Sequence, residues 1–232
     1  GRAWEQIRQS ICYPNLNVKI VATHAGITVG EDGGSHQSLE DVAVMRVIPH
    51  MTVIVPADGP ETMQAIEAVA EYKGPCYVRV GRNKVPVICP ENYQFKIGKA
   101  HEFHEGKDAA IIATGLMVAE ALKAREMLLA EGINAGVINM STIKPIDADA
   151  IIAASRRCGA IVTAEEHSII GGLGGAVAEV LSESAPAPLV RIGTKDQFGT
   201  SGEPDGLLKH YKLSAADIKD GVKEAIKKKS RK

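Results

Sequence analysis

Short apolar runs and amphipathic stretches alternate along the first part of the chain. Ala3, Ile7 and Ile11 recur at helical spacing and predict an opening helix that ends at Pro14. Runs rich in β-branched residues predict strands at 18–22, 52–56 and 76–80, separated by helices at 39–47 and 59–72. Asp58 is the expected N-cap of the longer helix. This alternation of strand and helix is typical of an α/β domain.

The same alternation continues in the second part of the chain. Strands are predicted around Phe103 and at 109–114, 135–139, 160–164 and 188–192, with helices at 117–131, 147–157, 173–184 and 205–212 and a last helix capped by Ser214. Pro86 and Pro90 lie in a stretch with little periodicity, which marks a boundary between domains. We therefore predict two doubly wound α/β domains, residues 1–88 and 89–232, each built on a parallel sheet covered on both faces.

Composition and charge narrow the class of protein. Hydrophobic residues make up 45% and charged residues 24% of the 232, which is close to the average of globular domains. A net charge of −1 favours neither nucleic acid nor a membrane surface, and no apolar run approaches the roughly 20 residues of a membrane span. The four cysteines are widely spaced and form no CxxC pair, which argues against a metal site or disulfide framework. A cytoplasmic protein without nucleic-acid or membrane partners is expected.

The stretch from His24 to Gln37 concentrates the candidate chemistry. It contains four glycines, at positions 26, 30, 33 and 34, together with two histidines and two carboxylates. It follows the predicted strand at 18–22, and the carboxyl ends of strands are where open α/β sheets bind ligands. Two interpretations remain open: an ordinary glycine-rich connection, or a loop whose imidazoles and carboxylates hydrogen-bond a polyhydroxylated substrate.

The order and spacing of residues in this stretch resemble a known family. His24, the run Gly30-Glu31-Asp32-Gly33 and the pair His36-Gln37, followed by a helix and the turn Pro56-Ala57-Asp58, are similar to the thiamine-diphosphate-dependent transketolases. The run from Thr163 to Gly175 is similar to the C-terminal domain shared by transketolases and the β subunits of 2-oxoacid dehydrogenases. The segment from Asp196 to Tyr211 matches the transketolase version of that domain.

The resemblance implies a domain order and a cofactor. A family subunit has a diphosphate-binding domain, then a pyrimidine-binding domain, then the C-terminal domain. Residues 1–88 match only the later part of the pyrimidine-binding domain, and residues 89–232 match the C-terminal domain. The complete enzyme would use thiamine diphosphate and Mg²⁺, which supply the carbanion chemistry. Their ligands are expected upstream of Gly1, so no cofactor-binding or metal-binding residue is assigned here, and this chain alone is expected to bind neither group.

Four residues of the chain match substrate-binding positions of the family. His24 would contact the phosphate end of the acceptor sugar together with Arg82, whose planar guanidinium can donate two parallel hydrogen bonds. Asp32 resembles the acidic residue that accepts a hydrogen bond from a substrate hydroxyl. His36 matches the histidine near the donor's reacting hydroxyls and is the candidate catalytic residue, because it can give or take a proton. The alternatives are an ordinary surface arginine at 82 and a loop histidine bonded to backbone at 36.

A second cluster of ionisable residues lies in the later half of the chain. Glu165, Glu166 and His167 could form an acid–base group, but the resemblance favours hydrogen bonding at the end of a strand. The glycine run 171–175 could cradle a phosphate at a helix N-terminus. Because it lacks a GxGxxG frame, tight packing of helix on sheet is the preferred interpretation.

The function implied by the resemblance is that of a transketolase part or subunit, inactive without the N-terminal part, in an enzyme that transfers a two-carbon ketol unit between phosphosugars. A 1-deoxyxylulose-5-phosphate synthase-like enzyme and a non-catalytic assembly module are the alternatives. The expected partners are phosphosugar substrates, the N-terminal part and a second copy, in a homodimer or larger oligomer of the pentose phosphate pathway. The helix around Trp4 and Ile7 and the strand at 18–22 are expected to be bare until a dimer buries them.

Overall fold

The computed structural model describes residues 1–230, so the last two residues of the predicted second domain, Arg231 and Lys232, lie outside the described residues. The described chain forms nine strands: β1 (Lys19–Ala22), β2 (Thr52–Ile54), β3 (Cys76–Arg79), β4 (His101–His104), β5 (Ala109–Ala113), β6 (Ala135–Asn139), β7 (Thr142–Lys144), β8 (Ile161–Ser168) and β9 (Leu189–Thr194). Its eight α-helices are α1 (Trp4–Gln6), α2 (Asp41–Arg46), α3 (Gly59–Glu71), α4 (Met117–Ala130), α5 (Ala148–Cys158), α6 (Leu173–Ser184), α7 (Pro204–His210) and α8 (Ala215–Lys229). Apart from β7, these elements follow the predicted strands and helices closely.

The first sheet has the order β1-β3-β2-β7. Strands β1, β3 and β2 run parallel, as predicted, whereas β7 pairs antiparallel with β2 through Ile54 and Thr142. The three residues of β7 are too few to carry a periodic signal, so the pattern did not predict this strand. It comes from beyond the predicted boundary at residue 88, and the boundary itself stays a prediction.

The second sheet has the order β4-β6-β5-β8-β9 and is parallel except for the edge strand β4. Alternate residues of the central strand β5 point to opposite faces. Ile111 packs with Met117 of α4 and Val222 of α8, and Ile112 packs with Ile151 of α5 and Leu173 of α6. All six side chains are fully buried, and each burial stabilises the fold by about 1.5–3 kcal/mol. The sheet is therefore covered on both faces, as the prediction required.

One hydrophobic core joins the two sheets. Val53 and Tyr77 of the first sheet belong to the same buried cluster as Ile112 and Ile138 of the second. Helix α1, which continues as a π-helical turn over Ile7–Cys12, packs against this cluster.

The expectation that Trp4 and Ile7 are bare was wrong. Ile7 is 9% exposed, and the Trp4 indole donates a hydrogen bond to the Val44 carbonyl at 2.7 Å, so α2 covers this helix within the chain. Within the chain Ile7 is therefore buried and Trp4 is partly buried against the core, without a dimer to cover them. Strand β1 differs, because Val21 is 48% exposed at the edge of the sheet.

Candidate functional site

The His24–Gln37 loop leaves the carboxyl end of β1, beside the carboxyl end of the parallel strand β3. Its centre is a 3₁₀ segment, Ile27–Asp32, interrupted at Gly30, where φ is 87°. Residues 27–30 of this segment are buried, while Glu31 and Asp32 are exposed. The buried half anchors the loop and leaves its acidic end at the surface.

The structure brings together two of the predicted site residues, Asp32 and Arg82. Arg82 Nη1 donates to Asp32 Oδ2 at 3.2 Å and to the carbonyl of Val29 at 2.7 Å. The neighbouring Asn83 donates from Nδ2 to the carbonyl of Thr28 at 2.8 Å. The segment after β3 is therefore tied to the 3₁₀ segment at two consecutive residues. The ion pair itself is exposed to solvent, where a ligand can reach both charges.

The two candidate histidines lie on the same loop and are both exposed. His24 has a positive φ of 63°, which is uncommon for a side-chain-bearing residue, and its Nδ1 lies 2.9 Å from Thr23 Oγ1. Nδ1 of His36 lies 3.0 Å from Ser35 Oγ, a side chain rather than the backbone. Each described contact is with the preceding residue. Neither contact joins a histidine to the Asp32–Arg82 pair.

Two of the loop glycines lie in close contact with the second domain. A Cβ built on Gly26 would overlap the Glu166 carboxylate, and one built on Gly34 would overlap the carbonyl oxygen of Gly199. Gly26 also has a φ of 90°, a conformation that favours glycine. The glycines at 26 and 34 therefore permit contact between the domains, a reason that the sequence does not reveal.

A buried polar network crosses from the first domain to the second at the base of the loop. Asp41 Oδ2 accepts hydrogen bonds from Arg79 Nε and from the Tyr77 hydroxyl, both at 2.8 Å. Arg79 Nη2 donates to the Glu166 carbonyl at 2.9 Å, and its Nη1 lies 3.9 Å from Glu166 Oε2. Burial opposes ionisation of Asp41, but the Arg79 charge and the hydrogen bonds from Arg79 and Tyr77 together act in the other direction, and the net effect holds the pKa of Asp41 below its usual value.

Glu166 links this network to the loop. Its Oε1 accepts the Thr28 N–H at 2.7 Å, and only 4% of the residue is exposed. Burial raises the pKa of Glu166 above its usual value, although Arg79 acts in the opposite direction. Sequence reasoning noticed Glu166 only as part of a strand-end cluster. Its contact with a residue 138 positions away has no local sequence signal.

The neighbouring residues confirm strand-end hydrogen bonding. Glu165 accepts the N–H groups of Leu173 and Gly174, each at 2.7 Å. His167 Nδ1 lies 2.7 Å from the carbonyl of Ser168, and its Nε2 accepts the N–H of Ala43 at 3.4 Å. A Cβ on Gly172 or Gly174 would overlap β8 side chains, as tight helix–sheet packing requires.

Gln37 is a second residue whose structural role the sequence did not reveal. Its buried Nε2 donates to the carbonyl of Ile27 at 2.9 Å and to that of Thr200, in the second domain, at 3.0 Å. One amide thus joins the two ends of the loop to each other and to the segment after β9.

A separate buried carboxylate joins the domains on the other side of the first sheet. Glu61 of α3 is fully buried and accepts the Ala57 N–H at 2.6 Å and Asn139 Nδ2 at 3.0 Å. The hydroxyls of Tyr93 and Ser141 also donate to it. Asp58 caps α3, as predicted, by accepting the Glu61 N–H at 2.9 Å.

Residues 1–230 contain no group of three or more His, Cys, Asp or Glu side chains that could hold a metal ion. A cavity of about 610 Å³ between α2 and α6 is lined by Arg46, Lys144 and Glu179 and by no residue of the His24–Gln37 loop. That this chain alone binds neither thiamine diphosphate nor Mg²⁺ stays a prediction. No helix within the described range is long and apolar enough to cross a membrane.

Two family models match the chain. The model described as the transketolase pyrimidine binding domain matches residues 1–87, and the model described as the transketolase C-terminal domain matches residues 98–218. Together they cover most of the chain.

Curated relatives agree with these matches. A putative transketolase C-terminal section of Methanocaldococcus jannaschii is 53% identical over 98% of this chain and 72% of its own length. A 6-deoxy-6-sulfo-D-fructose transketolase subunit of a Clostridium species is 44% identical over 99% of this chain and 71% of its own length. The transketolase of Rattus norvegicus is 36% identical over 97% of this chain, which corresponds to 36% of that enzyme.

A solved structure described as a split gene transketolase, inactive beta4 tetramer, superposes with a TM-score of 0.93 at 51% identity, covering 98% of this chain and 73% of that one. Transketolase from Pichia stipitis has the same fold, with a TM-score of 0.81 at 24% identity, covering 100% of this chain and 33% of that one. The architecture of two α/β domains and the matched models agree with the similarity of the loop motif. The chain belongs to the transketolase family, and it consists of family pyrimidine-binding and C-terminal domain sequence.

Proposed function

We propose that this chain is the C-terminal subunit or part of a transketolase that transfers a two-carbon ketol unit between phosphosugars with thiamine diphosphate and Mg²⁺. In this proposal Arg82 and His24 bind the acceptor phosphate, Asp32 accepts a hydrogen bond from a sugar hydroxyl, and His36 exchanges a proton with the donor hydroxyls. The cofactor, when bound, supplies the nucleophile and holds the transferred carbanion.

The observation that carries the proposal is the exposed Asp32–Arg82 pair at the rim of the first sheet. It combines a cation suited to phosphate with an acceptor suited to a hydroxyl, on elements 50 residues apart in sequence. His24 and His36 are exposed on the same loop. The buried anchors of the 3₁₀ segment support a loop of defined shape, which a substrate site requires.

A partner follows from the same proposal. The Clostridium relative is described as a transketolase subunit, and the solved split gene transketolase is described as an inactive tetramer of β chains. We infer that this chain likewise assembles with copies of itself, in a homodimer or larger oligomer. We infer also that it needs a separate N-terminal part for turnover.

Reconstitution with a transketolase N-terminal subunit tests the proposal through the Arg82→Ala variant. The variant is expected to raise KM for phosphorylated acceptors roughly ten- to a hundredfold, since a charge-assisted hydrogen bond contributes about 1.5–3 kcal/mol. KM for the unphosphorylated acceptor glycolaldehyde should change much less.

The matched control is Asn83→Ala, which removes the neighbouring tie to the 3₁₀ segment without removing a charge. It should affect both acceptors equally. Equal losses on glycolaldehyde and on a phosphosugar in Arg82→Ala would contradict the phosphate role.

The same reconstitution separates the alternatives. A 1-deoxyxylulose-5-phosphate synthase from Caldanaerobacter subterraneus is 32% identical over 97% of this chain. An enzyme of that kind would form 1-deoxyxylulose 5-phosphate rather than transfer a ketol unit between phosphosugars. A non-catalytic assembly module would bind the N-terminal subunit and leave both reactions silent.

A further inference from the structure

We propose that Glu166, a residue of the second domain, is a positioning residue for substrate binding by the His24–Gln37 loop. The inference rests on the function proposed for that loop. It assigns to the second domain a part in substrate recognition in addition to any part in assembly.

The contact that carries the inference is the hydrogen bond from the Thr28 N–H to Glu166 Oε1, at 2.7 Å. Thr28 is the second residue of the buried half of the 3₁₀ segment, and the carbonyl of the next residue, Val29, accepts a hydrogen bond from the Arg82 guanidinium. The carbonyl of Thr28 itself accepts Asn83. A shift of the Thr28 peptide would therefore move both anchors of the Arg82 segment and, four residues on, Asp32.

Glu166 is itself held in one orientation. Arg79 donates to its main-chain carbonyl and lies beside its second carboxylate oxygen, while Asp41 fixes the other side of the Arg79 guanidinium. Gly26 has no side chain, and the Glu166 carboxylate occupies the space that a Cβ there would fill. The carboxylate therefore has a fixed place against the loop, and a fixed acceptor determines where the Thr28 N–H can lie.

The other end of the loop has its own tie to the second domain. Gln37 donates to the carbonyls of Ile27 and Thr200. Glu166 holds the beginning of the 3₁₀ segment, and the Thr200 carbonyl holds the end of the loop. Both ends of the loop are therefore hydrogen-bonded to the second domain. Removing Glu166 should loosen the first end and leave the second in place.

Glu165 provides a matched control one residue away. It is buried as deeply, with 1% of the residue exposed against 4% for Glu166, and it also accepts backbone N–H groups. Its donors, Leu173 and Gly174, belong to the second domain itself. Its removal should disturb α6 without reaching the loop.

The first experiment measures hydrogen exchange in the full chain by mass spectrometry. Glu166→Ala should speed exchange at Thr28, in peptides covering residues 24–37, roughly ten- to a hundredfold, the loss expected for a hydrogen bond to a charged acceptor. Glu166→Gln keeps an acceptor oxygen of the same reach and should restore most of the protection. Glu165→Ala should speed exchange in α6 and leave the loop unchanged. Unchanged loop exchange in Glu166→Ala, or an equal effect of Glu165→Ala on the loop, would overturn the inference.

The second experiment measures kinetics after reconstitution with the N-terminal subunit. Glu166→Ala should raise KM for the sugar substrates about tenfold or more, with partial rescue in Glu166→Gln and an unchanged affinity for thiamine diphosphate. Faster loop exchange with unchanged KM would overturn the role in substrate positioning. If wild-type chain and N-terminal subunit assemble but transfer no ketol unit, the proposed function fails, while the exchange result still decides whether Glu166 holds the loop.

Discussion

Gly26→Ala tests the contact between the loop and the second domain directly. Gly26 has a φ of 90° and a ψ of 178°, a region that is essentially restricted to glycine and costs other residues about 1–3 kcal/mol. The new Cβ would also overlap the Glu166 carboxylate. If Glu166 moves away and loses the Thr28 N–H, a further 1.5–3 kcal/mol or so is lost. We expect the free energy of unfolding to fall by about 2.5–6 kcal/mol.

The chain contains a control for the backbone term alone. Gly132, after α4, has a φ of 79°, and a Cβ built on it meets nothing within 4 Å. Gly132→Ala should therefore lose only about 1–2 kcal/mol, the cost of the left-handed conformation. The backbone costs at the two sites differ by no more than about 1 kcal/mol at their upper ends, so a larger excess loss in Gly26→Ala over Gly132→Ala measures the contact with Glu166.

The assay is urea unfolding followed by circular dichroism, with the slope of the transition checked for constancy between variants. In a Glu166→Ala background, the loss caused by Gly26→Ala should fall towards that of Gly132→Ala, since the two residues share one contact. Equal losses in Gly26→Ala and Gly132→Ala, or no coupling with Glu166→Ala, would refute the close approach described here.

Three further predictions concern the buried carboxylates and the cofactor. Asp41→Asn should cost about 3–5 kcal/mol at neutral pH, because it leaves Arg79 buried with a neutral partner. The folded-state pKa of Asp41 is lowered, so its contribution is present above the unfolded pKa of about 3.9 and is lost as pH falls through the folded-state pKa. Urea unfolding against pH should show the variant and wild type converging on acidification, and a constant gap would contradict this. Glu61→Gln puts an NH₂ group against several donors and should cost at least about 1–3 kcal/mol, whereas the exposed Glu67→Gln on the same helix should stay within about 0.5 kcal/mol in the same assay. The chain alone should bind thiamine diphosphate with a Kd weaker than micromolar, and calorimetry that finds tighter binding would oppose the proposed need for a partner.

The periodic pattern predicted the framework well. The strand at 135–139 and the helix at 173–184 have the predicted bounds, and Asp58 caps α3 as expected. Local physics decides such features, because β-branched runs, helical spacing and capping side chains act within a few residues. Strand β7 escaped prediction because its three residues are placed by pairing with β2 and not by their own pattern.

The sequence likewise predicted only part of what concerns the candidate site. The motif from His24 to Gln37 pointed to the transketolase family, and the comparisons confirm that membership, while the roles of the four site residues stay predictions. The exposure of Trp4 and Ile7 was predicted wrongly, because the folding of α2 over this helix is a tertiary event.

What the sequence by itself determined is the set of local elements, their order in two α/β domains, and the family motif of the loop. What only the tertiary structure decided is which distant groups meet: Asp32 with Arg82, Thr28 with Glu166, Gln37 with Thr200. The spacing of residues along one segment specifies its helix or strand. Contacts between segments depend on how the sheets pack, and a buried glutamate and a glycine that fit together over more than 130 residues carry no shared local signal.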